Sequence, residues 1–315
     1  MLQREEIQDF DDTVWTDEDW NSLLVAIKYK QCTPFIGAGA CAGTLPTGKA
    51  IAREWAEEFG YPFPDKDNLP RVAQYIAMRE GSLGSTTPKF RLCERFGQSG
   101  TPDFTRPDEP HRAVADLNLR VYITTNYDNF MFSALQRDGK RQPLRESCQW
   151  KPQPGKRTTK SRPDPKPSSE SPLVFHLHGK LEEPETMVLT EDDYLDFLAN
   201  ISSDPKLIPA YVESALANSC LLFLGYSLND MNFKVLFRKF AWYMQRTDGP
   251  RHVSVQISPQ PMKDAKAERE LLLKQREYLE TQFKRQKVKI YWGSCSKFAA
   301  ELSARWSVYR DAHNA

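Results

Sequence analysis

Two spacings of apolar residues alternate along the chain. Trp20, Leu23, Leu24 and Ile27, then Ile51, Trp55 and Phe59, then Val72, Tyr75 and Ile76 recur at helical steps, which places each set on one helix face. Between such segments lie short apolar or β-branched runs: one ending at Ile36, then Leu119 to Thr125, Leu173 to His178, Cys220 to Leu224, His252 to Ile257 and Val288 to Trp292. The run Cys220-Leu-Leu-Phe-Leu224 has no polar position, as expected of a parallel strand covered on both faces. Strands and helices in alternation predict an α/β fold, a Rossmann-like parallel sheet with helices on both faces.

Local signals refine this pattern. Thr16 ahead of Asp17-Glu18-Asp19 predicts an N-cap with acidic residues at the positive end of a helix. Ser296 is expected to cap the terminal helix through Phe298, Leu302 and Trp306, after a long charged helix from Asp264 to Gln286. Residues 61–110 read as a small, mainly helical insertion over one end of the sheet. From Asp138 to Ser171, basic residues such as Lys140, Arg141, Arg145 and Lys156 lie among prolines and serines. This stretch, 138–171, is expected to be a flexible, basic, solvated loop.

The candidate chemistry sits at four strand ends, where α/β sheets place ligands. At the first, Gly37, Gly39 and Ala42 fit Gly-x-Gly-x-x-Gly/Ala. Glycine lets backbone N–H groups approach a pyrophosphate, and a following helix offers its positive end. Pro34 counts against placing this strand in the middle of a sheet. At the second, Thr125-Asn126-Tyr127-Asp128 precedes a helical pattern, and Asn126 or Asp128 serves either a ligand or a helix cap. At the third, alternation puts Val174, His176 and His178 on one face and Phe175 with Leu177 on the other. His178 ends the strand and is the functional candidate, whereas His176 is expected to be packed or hydrogen-bonded in the core. No further histidine or paired cysteine lies nearby to complete a metal set, so no metal is expected. At the fourth, Gly225-Tyr226-Ser227 forms a second glycine turn, before a helical pattern at Phe233, Leu236, Phe237 and Phe240. Cys41 reads as a small residue in a tight turn rather than a nucleophile.

Composition narrows the class. The 315 residues carry a formal net charge of +1, so no global field draws the chain to nucleic acid or to a membrane. Six cysteines are scattered without a Cys-x-x-Cys pair, which argues against both a disulfide framework and a zinc ribbon. The first residues lack the apolar core of a signal peptide, and a cytoplasmic setting is expected.

Taken in order, Gly37-Ala38-Gly39, Thr125-Asn126-Tyr127-Asp128, His178-Gly179 and Gly225-Tyr226-Ser227 resemble the motifs of the sirtuin family. The resemblance covers roughly residues 20–310. It implies a single sirtuin-like domain over 1–315, with its core at about 17–60 and 110–310. It also implies that Gly37, Ala38 and Gly39 hold the NAD pyrophosphate, with Cys41 and Thr125 among the cofactor-binding residues. Asn126 and Asp128 would border the nicotinamide ribose, His178 would act as base, and Gly225 with Ser227 would line the phosphate and adenosine side. Two departures matter. No cysteine lies between His178 and Cys220, where sirtuin deacylases carry a zinc module, and Leu45-Pro46-Thr47-Gly48 stands where they carry Asp-Phe-Arg.

These departures resemble the zinc-free bacterial sirtuin-like domains of anti-phage defence. That resemblance implies an NAD glycohydrolase that releases nicotinamide and ADP-ribose. It also implies a homo-oligomer working with a separate defence partner, a helicase-like ATPase or a short Argonaute. Two alternatives stand beside it: an NAD-dependent protein deacylase, and a non-catalytic module that binds NAD or ADP-ribose. A histidine with an ordinary pKa of about 6.5 is expected to suit general-base work at neutral pH.

Overall fold

The computed structural model describes residues 15–79, 86–151, 166–228, 234–235, 238, 252–256, 265–284 and 286–313. In chain order the elements are α1 (Asp17–Lys28), β1 (Cys32–Ile36), α2 (Gly48–Glu58), α3 (Leu69–Arg79), α4 (Thr87–Gly97), α5 (Pro110–Ala115), β2 (Val121–Thr124), α6 (Phe130–Gln136), β3 (Leu144–Ser147), β4 (Leu173–His176), α7 (Glu191–Ser203), α8 (Ala210–Asn218), β5 (Cys220–Leu224), β6 (His252–Gln256), α9 (Ala265–Lys284), β7 (Val288–Trp292) and α10 (Cys295–His313). The Phe233, Leu236, Phe237 and Phe240 pattern lies outside the described residues.

The seven strands form one sheet in the order β3-β4-β2-β1-β5-β6-β7, and every pairing is parallel. From β1 the chain steps to one side and builds β2, β3 and β4. It returns to the other side at β5. The crevice above the carboxyl ends of β1 and β5 is therefore the topological switch point, where open α/β sheets bind ligands.

Alternation along each strand feeds two cores. Phe35, Ile123, Phe175 and Phe223 pack with Phe197, Val212, Leu216 and Leu279 on the face of α7, α8 and α9. Ile36, Tyr122, Val174 and Leu222 pack with Trp20, Ile27, Val114 and Phe298 on the face of α1, α5, α6 and α10. A third cluster, Ile51, Trp55, Val72, Ile76 and Leu92, joins α2, α3 and α4 to Met187 and Leu189. Of these helices, α3 and α4 fall within residues 61–110, the stretch read from sequence as an insertion, and α2 precedes it.

The insertion is tied to α7 by a buried ion pair, Lys89 Nζ to Asp193 at 2.9 Å, with both side chains at most 3% exposed. Removing one partner of such a pair costs about 3–5 kcal/mol, because the other charge is left buried and uncompensated. Asp193 also accepts from the N–H groups of Leu189 and Thr190 and so closes a capping box with Thr190.

Several sequence expectations need correction. Pro34 occupies the central strand. Its missing N–H is on the β2 side, and the β1–β2 register begins one residue later, at Phe35 opposite Ile123. The stretch 138–171 is not wholly a loop. Leu144–Ser147 pairs with β4 as the edge strand, and Cys148 and Trp150 are buried. An edge strand of mixed polarity needs its neighbour to form, and periodicity cannot reveal it. Residues 152–165 of that stretch lie outside the described residues. The terminal helix begins at Cys295, and Ser294 rather than Ser296 caps it, its hydroxyl accepting from Lys297 N. Thr16 caps α1 as expected, in a full capping box with Asp19.

Candidate active site

The floor of the site is made of backbone. β1 and β5 run in register with Ile36 opposite Leu224, so the two glycine turns leave the sheet side by side. Gly37 N donates to Leu224 O at 2.8 Å, and Gly39 N donates to Gly225 O at 2.9 Å. A Cβ on residue 39 would lie 2.8 Å from Gly225 Cα, and Gly225 itself has φ +77°, the left-handed region that favours glycine.

The N–H groups of Gly37 and Gly39 are thus engaged within the protein. The expectation that these two glycines present their N–H groups to a pyrophosphate is corrected: they allow two turns to interlock, while Ala38, Gly225 and Ser227 line the cavity. Nor does an α-helix open directly on the turn. A 3₁₀ turn, Ala38–Cys41, comes first, and α2 starts at Gly48, which with Lys49 reaches the cavity rim.

One wall is polar and joined by hydrogen bonds. Asn126 N donates to Thr124 Oγ1 at 3.0 Å, and Asn126 O accepts from His176 Nδ1 at 3.0 Å. His176 therefore carries its proton on Nδ1, and its Nε2 accepts from Arg145 Nε at 3.0 Å. Burial, reinforced by the Arg145 charge, pushes the His176 pKa down to about 3.

The Asn126 side chain donates from Nδ2 to Cys41 Sγ at 3.2 Å. That leaves its carbonyl oxygen as the acceptor. Asp128 Oδ1 accepts from Phe130 N at 2.9 Å, and its Oδ2 lies 3.4 Å from the Cys41 thiol. Asp128 holds the start of α6 with one oxygen, and its second oxygen faces Cys41. Behind Cys41, His111 Nε2 is 3.8 Å from Sγ, and His111 Nδ1 is 2.7 Å from Glu109 Oε1. Burial, then the Asp128 charge, pushes the Cys41 thiol well up.

A second wall is aromatic. The His178 ring meets Phe197 edge-on at 4.9 Å and Tyr194 at 5.5 Å. Among the described residues neither ring nitrogen makes a hydrogen bond. Burial alone pushes its pKa down to about 3, below the ordinary value expected from sequence. Because β4 ends at His176, the alternation lapses: His178 packs toward Phe197 on the α7 side, and the two histidines have different surroundings. Tyr226 bridges floor and wall. Its hydroxyl donates to Ile36 O at 3.0 Å and meets Thr125 Oγ1 at 2.6 Å.

Ala38, Cys41, Thr125, Asn126, Asp128, His178, Gly225 and Ser227 all line one cavity of about 580 Å³, within the range of small-molecule sites. Gly37 and Gly39 lie beneath it. Sequence reasoning did not find Glu109, His111, Tyr194 or Phe197 as neighbours of the site. The only available signal was Glu109-x-His111 at a helix start, and that spacing means nothing until β1 and β2 bring Cys41 beside it.

A family profile described as a SIR2-like domain matches residues 120–281. Among curated proteins, the chain is 23% identical over 228 residues to the NAD(+) hydrolase ThsA of Enterococcus faecium, covering 72% of this chain and 43% of that protein. It is 27% identical over 201 residues to the NAD(+) hydrolase ThsA of Bacillus cereus (strain MSX-D12), covering 62% and 37%. It is also 25% identical over 169 residues to the defense-associated sirtuin 2 of Bacillus subtilis, covering 51% and 15%. The chain thus spans less than half the length of these relatives. A solved structure titled "Structural Basis for the Mechanism and Regulation of Sir2 Enzymes" aligns with 94% of this chain and 99% of its own, at 12% identity and a TM-score of 0.44. With its family profile matched from β2 into α9, this chain belongs to the SIR2-like domain family.

Proposed function

We propose that the chain is an NAD glycohydrolase, cleaving NAD to nicotinamide and ADP-ribose. The observation that carries this reading is that Asn126 and His178 line the same cavity, together with Gly225, at the switch point of the sheet. The relatives named NAD(+) hydrolase support it from the side of sequence.

In this mechanism the C1′–N bond breaks and its electron pair neutralises the nicotinamide nitrogen, leaving an oxocarbenium-like ribose. Water attacks C1′ and its proton passes to His178 and on to solvent. With its pKa pushed down to about 3 by burial, the His178 imidazole is neutral at physiological pH. It accepts a hydrogen bond from water or a ribose hydroxyl, and takes the proton only as positive charge leaves the water oxygen. The Asn126 carbonyl oxygen orients the same water or the ribose hydroxyls, with Asp128 beside it. Ala38, Cys41, Thr125, Gly225 and Ser227 border the dinucleotide. The binding energy is used for positioning.

The decisive experiment follows nicotinamide release from NAD, without peptide, for the wild-type chain and for Asn126→Ala and His178→Ala. Each variant is expected to lose about 10²–10⁴-fold in rate with its thermal unfolding profile retained. A strict requirement for an acylated peptide would instead make the chain a deacylase. NAD binding without turnover, alone and with a partner, would make it a regulatory module.

The name of one relative, the defense-associated sirtuin 2, supports a role in defence; we propose further that the chain depletes NAD during anti-phage defence, in the cytoplasm, as a homo-oligomer acting with a separate partner protein. Light scattering that reports a monomer at all concentrations overturns the self-association. Among the described residues no helix is long and apolar enough to cross a membrane.

A further inference from the structure

Cys41, His111 and Asp128 come from three segments far apart in sequence and meet behind the polar wall. All three are buried, and one ligand-type atom from each lies within 4.8 Å of the other two. We propose that they form a binding site for a divalent cation of the zinc class, with Glu109 fixing the orientation of the histidine.

The first ground is geometric. With metal–sulfur bonds of about 2.3 Å and metal–nitrogen or metal–oxygen bonds of about 2.0–2.2 Å, tetrahedral ligand atoms lie roughly 3.3–3.6 Å apart. The observed separations from Cys41 Sγ are 3.4 Å to Asp128 Oδ2, within that range, and 3.8 Å to His111 Nε2, slightly above it. The histidine and carboxylate atoms lie within 4.8 Å of each other, so binding an ion draws the three together.

The second ground is a count of protons. His111 Nδ1 sits 2.7 Å from Glu109 Oε1, and in the neutral ring it donates there, leaving Nε2 as a bare lone pair. Three acceptor atoms, Nε2, Sγ and Oδ2, then face one another with only the thiol proton between them. That proton can point to only one neighbour at a time. A divalent cation satisfies all three at once. The thiol proton leaves to solvent on binding, and the thiolate and carboxylate together balance the charge of the ion.

The third ground is the surrounding shell. Glu109 behind His111 is the carboxylate–histidine pairing that orients ligands in metal sites, and its other oxygen is fixed by Arg112 N at 2.6 Å. Asn126 Nδ2 donates to Cys41 Sγ at 3.2 Å, which favours the thiolate. Cys41 and Asp128 also line the cavity, so an ion enters from there and takes its fourth ligand, water or a solute oxygen, from the same side. The site is separate from the cysteine module of deacylases, and it stands whether or not the chain cleaves NAD.

The test uses the full chain, stripped with a chelator, loaded with cobalt(II) or zinc and dialysed against metal-free buffer. One ion per chain is expected, with a sulfur-to-cobalt charge-transfer band in the near ultraviolet and a raised melting temperature. Cys41→Ser, which keeps a hydrogen-bonding atom in place, should lose the band while the metal-free protein melts as the wild type does. Glu109→Gln should weaken binding about 10–100-fold. The remaining cysteines, Cys32, Cys93, Cys148, Cys220 and Cys295, serve as internal controls. No retained ion, or an ion whose band survives Cys41→Ser, overturns the proposal and leaves a thiol–imidazole–carboxylate hydrogen-bond cluster.

Discussion

The two walls of the cavity achieve rigidity by opposite means. On the Asn126 side the amide, its backbone, Thr124, His176, Cys41 and Asp128 are joined by hydrogen bonds. On the His178 side, among the described residues, the imidazole meets aromatic edges and makes no hydrogen bond. A hydrogen-bonded network fixes direction, because each donor specifies one acceptor. An aromatic wall fixes position but leaves the ring nitrogens uncommitted, and it sets their basicity by excluding water. The wall that must point an amide is polar, and the wall that must keep an imidazole neutral is dry.

The largest expected effect comes from breaking the floor that both walls stand on. Gly225→Ala forces a Cβ into Ala40 N and Gly37 O at a left-handed φ. It should destabilise by more than about 4–5 kcal/mol, seen as loss of the folded state in chemical denaturation. Phe197→Ala opens the dry wall. It should cost about 3–5 kcal/mol and raise the His178 pKa from about 3 toward its ordinary value, read by NMR titration.

A pH series tests the buried imidazoles together. His176 and His178 are pushed to about 3 and His252 to about 4, so the unfolded chain binds their protons first. Their contribution is complete above about pH 6.5 and is lost as pH falls from there toward 3–4, by up to about 1.4 kcal/mol per pH unit for each histidine. Stability that is flat between pH 7 and 5 would contradict this. The smallest effect is expected on the polar wall. Cys41→Ser keeps an acceptor for Asn126 and a donor for Asp128 and should cost about 1 kcal/mol or less in metal-free buffer.

The same contrast explains what could be seen in the sequence. Strand ends carry their signal locally, so Asn126, Asp128, His178 and Gly225 were all legible as glycine or polar residues following apolar runs. Long helices with a clean apolar face, such as α1 and α3, were legible for the same reason. The edge strand Leu144–Ser147 was hidden because its residues are half-buried and of mixed polarity. Its order comes from β4, not from its own pattern. The depressed His178 pKa was hidden because Phe197 and Tyr194 arrive from another helix. The role of Gly37 and Gly39 was misjudged because their close partner, Gly225, lies far along the chain.

That last pairing bears on how the protein is made. The interlock of Gly39 with Gly225 joins segments separated by most of the polypeptide, and contacts of such separation form late. A chain still emerging from the ribosome, with β1 and β2 already out but β5 not yet synthesised, has nothing beneath its cavity. Whatever chemistry the pocket performs is therefore withheld from any copy whose synthesis has not passed β5, a safeguard of value if the finished product consumes a metabolite on which its own synthesis depends.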